Sequence, residues 1–160
     1  MDGTIGGPAG SLHDPLVVDD QLCFVLYAAS RAMTARYRPL LEGAGLTYPQ
    51  YLVMLALWNQ GSLPVKSLGS TLQLDYGTLT PMLKRLESNG LVRRERRADD
   101  ERSVQISVTE EGMRLRERLS DVPLAIAGSV GLSLEEVGLA KDLLRRLTAN
   151  VTAALAEQTA

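Results

Sequence analysis

Tyr76-Gly77-Thr78-Leu79-Thr80-Pro81-Met82-Leu83-Lys84-Arg85-Leu86-Glu87-Ser88-Asn89-Gly90, followed at once by Leu91-Val92-Arg93-Arg94-Glu95-Arg96-Arg97, is the stretch that decides the fold. In its first part Leu79, Met82, Leu83 and Leu86 recur at helical spacing and form one apolar stripe. Thr78, Thr80, Lys84 and Arg85 fall largely on the other side, and Gly90 stands where helices commonly stop. Pro81 runs against helix propensity, because it deletes the hydrogen bond to the Gly77 carbonyl. The second part is a basic segment that runs through the polar loop 98–102 into Val104-Gln105-Ile106-Ser107-Val108, which alternates apolar and polar strictly. That pattern predicts a β-hairpin with arginines on its first strand and at its tip.

Upstream, Pro64 is expected to start a short helix over 65–72, and Gln73-Leu74-Asp75 to turn the chain into the helix of Tyr76. Helix, tight turn and amphipathic helix have the proportions of a helix-turn-helix. With the hairpin added, the expected fold is mainly α with a small β-hairpin wing, a winged helix-turn-helix. Its second helix enters a DNA major groove, so Ser67, Tyr76, Thr78, Thr80, Lys84 and Arg85 are candidate DNA contacts. Arg93, Arg94, Arg96 and Arg97 are placed to meet phosphates, and Arg102 at the wing tip to reach a minor groove. Charge agrees with this despite a net −2: residues 84–97 hold six basic side chains against Glu87 and Glu95. A basic stripe on an acidic body binds phosphate locally. Charge by itself equally describes a solvated face, and it is the helix-and-hairpin setting that favours double-stranded DNA.

Working outward, the Gly- and Pro-rich residues 1–15 are expected to be a flexible tail. A first helix is predicted from Asp20 to Tyr37, capped by Asp19, with Leu22, Val25, Leu26, Ala29 and Met33 along one face. Pro39 and Gly43-Ala44-Gly45 are expected to end that region. Thr47 and Gln50 form a capping box that opens a helix through Tyr51, Leu52, Met54, Leu55 and Trp58 to Gly61. Thr109 caps a long helix that Pro123 is expected to interrupt. Ser133 to Glu136 is a second capping box, opening a last helix through Val137, Leu143, Leu144, Leu147, Val151 and Leu155. So much apolar surface beyond a complete winged unit implies a partner, unless it packs on its own domain. A second copy, reading a pseudo-palindromic operator as a homodimer, is the economical partner. The organisation is then a tail at 1–15, helical dimerisation and sensing at 16–46, the DNA-binding domain at 47–109 and C-terminal helical dimerisation at 110–160.

The 160 residues suit one domain with a sizeable core, and no apolar run approaches a transmembrane length. No signal pattern and a single cysteine imply a cytoplasmic protein without an intrachain disulfide or a membrane. One histidine, His13, leaves no metal-ligating cluster, and no cofactor is implied. Cys23 is expected in the first turns of its helix, where the positive end of the helix dipole favours a thiolate, with Tyr27 one turn later. A small buried core residue is the plain alternative for a lone cysteine.

Three strings resemble the organic hydroperoxide-sensing repressors of the MarR family: Leu22 to Arg31, Gly77 to Glu87, and the wing Asp99-Asp100-Glu101-Arg102-Ser103-Val104. The last contains the Asp-x-Arg element of MarR wings, here Asp100 and Arg102. The resemblance covers about residues 16–155 and implies a MarR-like homodimer that represses transcription and is not an enzyme. It implies that an organic hydroperoxide oxidises Cys23 to sulfenic acid. Tyr37 and Tyr48 match the tyrosines that hydrogen-bond the cysteine of the other subunit, while Tyr27 lies on the cysteine's own helix. Leu22, Phe24, Leu26 and Met54 are expected to surround the thiol and favour an apolar hydroperoxide. The chain lacks the second, resolving cysteine of some members, so a small cellular thiol or overoxidation would complete the response. Two alternatives stay open: a MarR-type repressor released by a reversible phenolic ligand, with Cys23 structural, and a thiol peroxidase. The winged motif and the lack of a thioredoxin-like βαβ pattern argue against the second.

Overall fold

The computed structural model describes residues 16–96 and 103–158. Seven helices and three strands follow in the order α1 (Leu22–Glu42), α2 (Tyr48–Gln60), β1 (Ser62–Pro64), α3 (Val65–Leu72), α4 (Tyr76–Ser88), β2 (Val92–Arg96), β3 (Val104–Val108), α5 (Glu110–Arg118), α6 (Val122–Val130) and α7 (Leu134–Gln158). Residues up to Val122 form one compact unit, and those from Pro123 a second. The expected tail at 1–15 lies outside the described residues.

The first unit is a winged helix-turn-helix. Its three-stranded antiparallel sheet runs β1-β3-β2, with Arg94 opposite Ile106 and Leu63 also opposite Ile106 across the central strand. Leu57, Leu68, Leu79, Leu83, Leu86, Ile106 and Leu115 are buried together as its core. α2 starts where the sequence places it: Gln50 N–H donates to Thr47 Oγ1, and Gln50 Oε1 accepts from Thr47 N–H at 2.9 Å. Past α4, Gly90 takes φ +73°, a left-handed turn that any side chain would strain.

Four boundaries differ from expectation. Asp19 does not cap α1, because Val18–Asp20 already form a 3-10 turn; Gln21 opens the helix with no side-chain cap. Pro39 does not end α1. It forfeits only the bond to the Ala35 carbonyl, and Leu41, fully buried, anchors the last turn in the core through to Glu42. Pro64 closes strand β1 before it caps α3, and three residues are too few for a period-two signal to announce a strand. The break after α5 falls at Leu119–Asp121, ahead of Pro123, which sits in the first turn of α6 where a missing N–H costs nothing.

In the second unit, Ser133 Oγ accepts from Glu136 N–H, and Ser133 N–H donates to the Glu136 carboxylate at 2.8 Å, so the expected capping box starts α7. None of the 25 residues of α7 is buried. Leu139, Leu143, Leu147, Val151 and Leu155 recur every four residues, and all but the half-buried Leu147 are exposed.

Candidate functional site

α4 is held at its start by Asp75, whose carboxylate accepts both the Thr78 N–H and the Thr78 hydroxyl at 2.8 Å. Those two bonds hold the carboxyl below its ordinary range, so the cap stays charged. Asp75 is a functional residue beyond those expected, with a signal of its own in the sequence: an Asp immediately before an amphipathic helix marks a helix start. Leu79, Leu83 and Leu86 turn inward, which leaves Gly77, Thr78, Pro81, Lys84, Arg85 and Ser88 on the outward face. Pro81 therefore sits on the free surface, where its missing N–H disturbs no core contact.

Thr80 is a correction to the expected reading face. It lies one residue after Leu79 and three before Leu83, so its side chain flanks the core stripe, and its hydroxyl is buried without a partner. Tyr76 is 64% exposed at the start of the helix, and Ser67 is half-buried on α3. Lys66, Ser70, Gln73, Tyr76 and Ser103 border a cleft of about 550 Å³ between the helix-turn-helix and the wing root.

Exposure differs among the arginines of β2. Arg93 and Arg96 are exposed, with Arg93 paired to Glu95 at 3.4 Å. Arg94 faces the core side with Ile106, is only 22% exposed, and meets Glu87 of α4 at 3.9 Å. Its backbone N–H also donates to Glu87, which ties β2 to the reading helix. Arg94 is thus a brace and not a free cation, a second correction. Arg97, Asp100 and Arg102 lie outside the described residues.

Cys23 is the second residue of α1 and is exposed on the single chain, outside that chain's own core. Leu22 and Phe24 beside it are exposed as well, and Leu26 is half-buried. Met54, expected near the thiol, is fully buried and offers no surface to a substrate, because α2 turns it into the core. One turn along, Tyr27 accepts a 2.7 Å hydrogen bond from Arg31, whose guanidinium carbon stands 5.5 Å from the ring centre. Tyr37 and Tyr48 stack with ring centres 4.4 Å apart, and Tyr51 lies 5.8 Å from Tyr37. Burial, then the neighbouring Tyr48 and Tyr51 phenols, push the Tyr37 phenol above its ordinary pKa, so it remains an O–H donor. Fourteen residues of helix separate Cys23 from Tyr37, about 21 Å at the α-helical rise. One chain does not bring them together.

The family described as transcriptional regulator SarA/Rot matches residues 35–119. The organic hydroperoxide resistance transcriptional regulator of Bacillus subtilis is 50% identical over 84% of this chain and 91% of its own length. This chain belongs to the organic hydroperoxide resistance regulators of the MarR family. Among solved structures, reduced AbfR of Staphylococcus epidermidis bound to DNA is similar at TM-score 0.76 and 36% identity, over 86% of this chain and 94% of that one. Overoxidised AbfR bound to DNA is similar at 0.71 and 38%, over 82% and 93%. The regulator is therefore a winged-helix transcription factor. Among its described residues no single helix is long and apolar enough to cross a membrane. Trp58 donates from Nε1 to the Gly112 carbonyl at 2.8 Å, and no local motif announces a bond across 54 residues.

Proposed function

We propose that this regulator is a homodimeric repressor that binds a pseudo-palindromic operator and leaves it when an organic hydroperoxide oxidises Cys23. The observation that carries the reading is the position of that thiol: the chain's one cysteine, exposed in the first turn of α1. The thiolate sulfur attacks the peroxide; an S–O bond forms, the O–O bond breaks, and the alkoxide takes a proton to leave as an alcohol. Sulfur is oxidised by two electrons to the sulfenic acid, and the peroxide is reduced. A small cytoplasmic thiol then displaces water from the sulfenic acid and leaves a mixed disulfide, because the chain has no second cysteine. Tyr37 and Tyr48 of the partner subunit act as phenol donors to the reduced sulfur.

The exposed apolar stripe of α7 supports the dimer. That overoxidised AbfR has been seen on DNA favours the mixed disulfide as the releasing species here, ahead of added oxygen atoms. A thiol adduct is too large for a packed cleft, and moving the regulator from mostly bound to mostly free needs only about 3–5 kcal/mol of differential stability. Cys23→Ser should bind the operator like the native chain and ignore cumene hydroperoxide with cysteine in a gel-shift titration. Release of that variant by the peroxide would remove Cys23 from the mechanism and leave a reversible ligand as the releasing signal.

A further inference from the structure

Tyr37, Tyr48, Tyr51 and Trp58 form one aromatic ladder inside the first unit. Ring centres stand 4.4 Å apart from Tyr48 to Tyr37, 5.8 Å from Tyr37 to Tyr51 and 6.0 Å from Tyr51 to Trp58. Tyr51 and Trp58 are buried, and the ladder ends in the hydrogen bond from Trp58 Nε1 to the Gly112 carbonyl. Gly112 is no ordinary landing point. A Cβ there would overlap the Leu91 carbonyl oxygen and come 2.7 Å from Val108 Cγ2, so α5 lies directly against the chain where α4 passes into β2. The Thr109 hydroxyl donates to the Gly90 carbonyl at 2.6 Å, and Thr109 N–H to the Leu91 carbonyl at 3.1 Å, which lock the same corner. The tyrosines assigned to Cys23 are thus joined, ring by ring, to the common root of the reading helix and the wing.

We infer that Tyr51 and Trp58 are positioning residues that carry the state of Tyr37 and Tyr48 to the DNA reader through Gly112 and Leu91. The inference rests on the oxidation-release reading above. Close-packed rings do not deform gradually, so a displaced Tyr37 must either move Tyr51 and Trp58 or open a gap. Neither residue is a catalytic residue.

Trp58→Phe keeps a ring and removes the Nε1 donor. The readout is the ratio of operator affinities before and after full modification of Cys23 by cumene hydroperoxide plus cysteine, with modification counted by mass spectrometry. The native chain should lose about a thousandfold in affinity, and Trp58→Phe about a hundredfold or less at equal modification. A ratio equal to the native one would overturn the inference. Trp58 is also the only tryptophan, so its fluorescence reports on the ladder without any substitution. Its emission should shift with the same rate as DNA release, and release with unchanged emission would equally overturn it. Cys23→Ser run beside these separates the two proposals. If that variant still responds, the oxidation reading falls; if only Trp58→Phe responds like the native chain, the ladder alone falls.

Discussion

α4 and α7 are both amphipathic helices, one burying its apolar stripe and the other exposing it. Leu79, Leu83 and Leu86 of α4 are all but inaccessible, whereas Leu139, Leu143, Leu144, Val151 and Leu155 of α7 are between 45% and 59% exposed. Full burial of one such side chain stabilises by about 1.5–3 kcal/mol. α4 obtains that from α3 and β2 of its own unit, so its stripe is buried within one chain. α7 has it still to obtain. Periodicity in a sequence thus states what has to be buried and is silent on which molecule buries it.

The hardest test of that contrast is to charge the stripe of α7. Leu143→Glu with Leu147→Glu should yield a monomer by light scattering and lower operator affinity about a thousandfold, toward the level of non-specific binding. A variant that remains dimeric would place the interface elsewhere. A smaller effect sharpens the reader itself. Arg93→Ala should reduce the salt dependence of DNA binding by about one counterion. Arg94→Ala should leave the salt slope unchanged while lowering stability by about 0.5–1 kcal/mol, because it loses Glu87 and not a phosphate. Equal salt slopes for the two variants would return Arg94 to the DNA face. The smallest effect is expected from Thr80→Val, which replaces a buried, unpartnered hydroxyl by a methyl group. DNA affinity should hold, and the unfolding free energy from urea titration should stay or rise by up to about 1 kcal/mol. A clear loss of affinity would show that Thr80 reads a base after all.

The winged fold was legible because its signals are local: the stripe of α4, the alternation of Val104 to Val108, and the capping boxes at Thr47 and Ser133. What stayed hidden depends on contacts remote in sequence. β1 is three residues long and is a strand only because β3 pairs with it. Thr80 and Arg94 carry the residue types of DNA contacts, and only the phase of α4 and the pleat of β2 turn them inward. α1 outran Pro39 because Leu41 reaches the core. At the redox site, Cys23 and Tyr27 were legible in the first helix, Tyr37 and Tyr48 came from family resemblance, and the separation of Cys23 from Tyr37 along α1 required no structure beyond the helix rise. The bond from Trp58 to Gly112 had no sequence signal at all.

The distance of about 21 Å between Cys23 and Tyr37 along α1 has a consequence for dosage. On the proposed reading, in which thiol and phenols come from different chains, the sensor exists only as a pair, so its abundance rises with the square of the chain's concentration until pairing saturates. On that reading an isolated chain below the threshold neither grips a two-fold operator nor releases one on oxidation. Silence and responsiveness then switch on together as the protein accumulates.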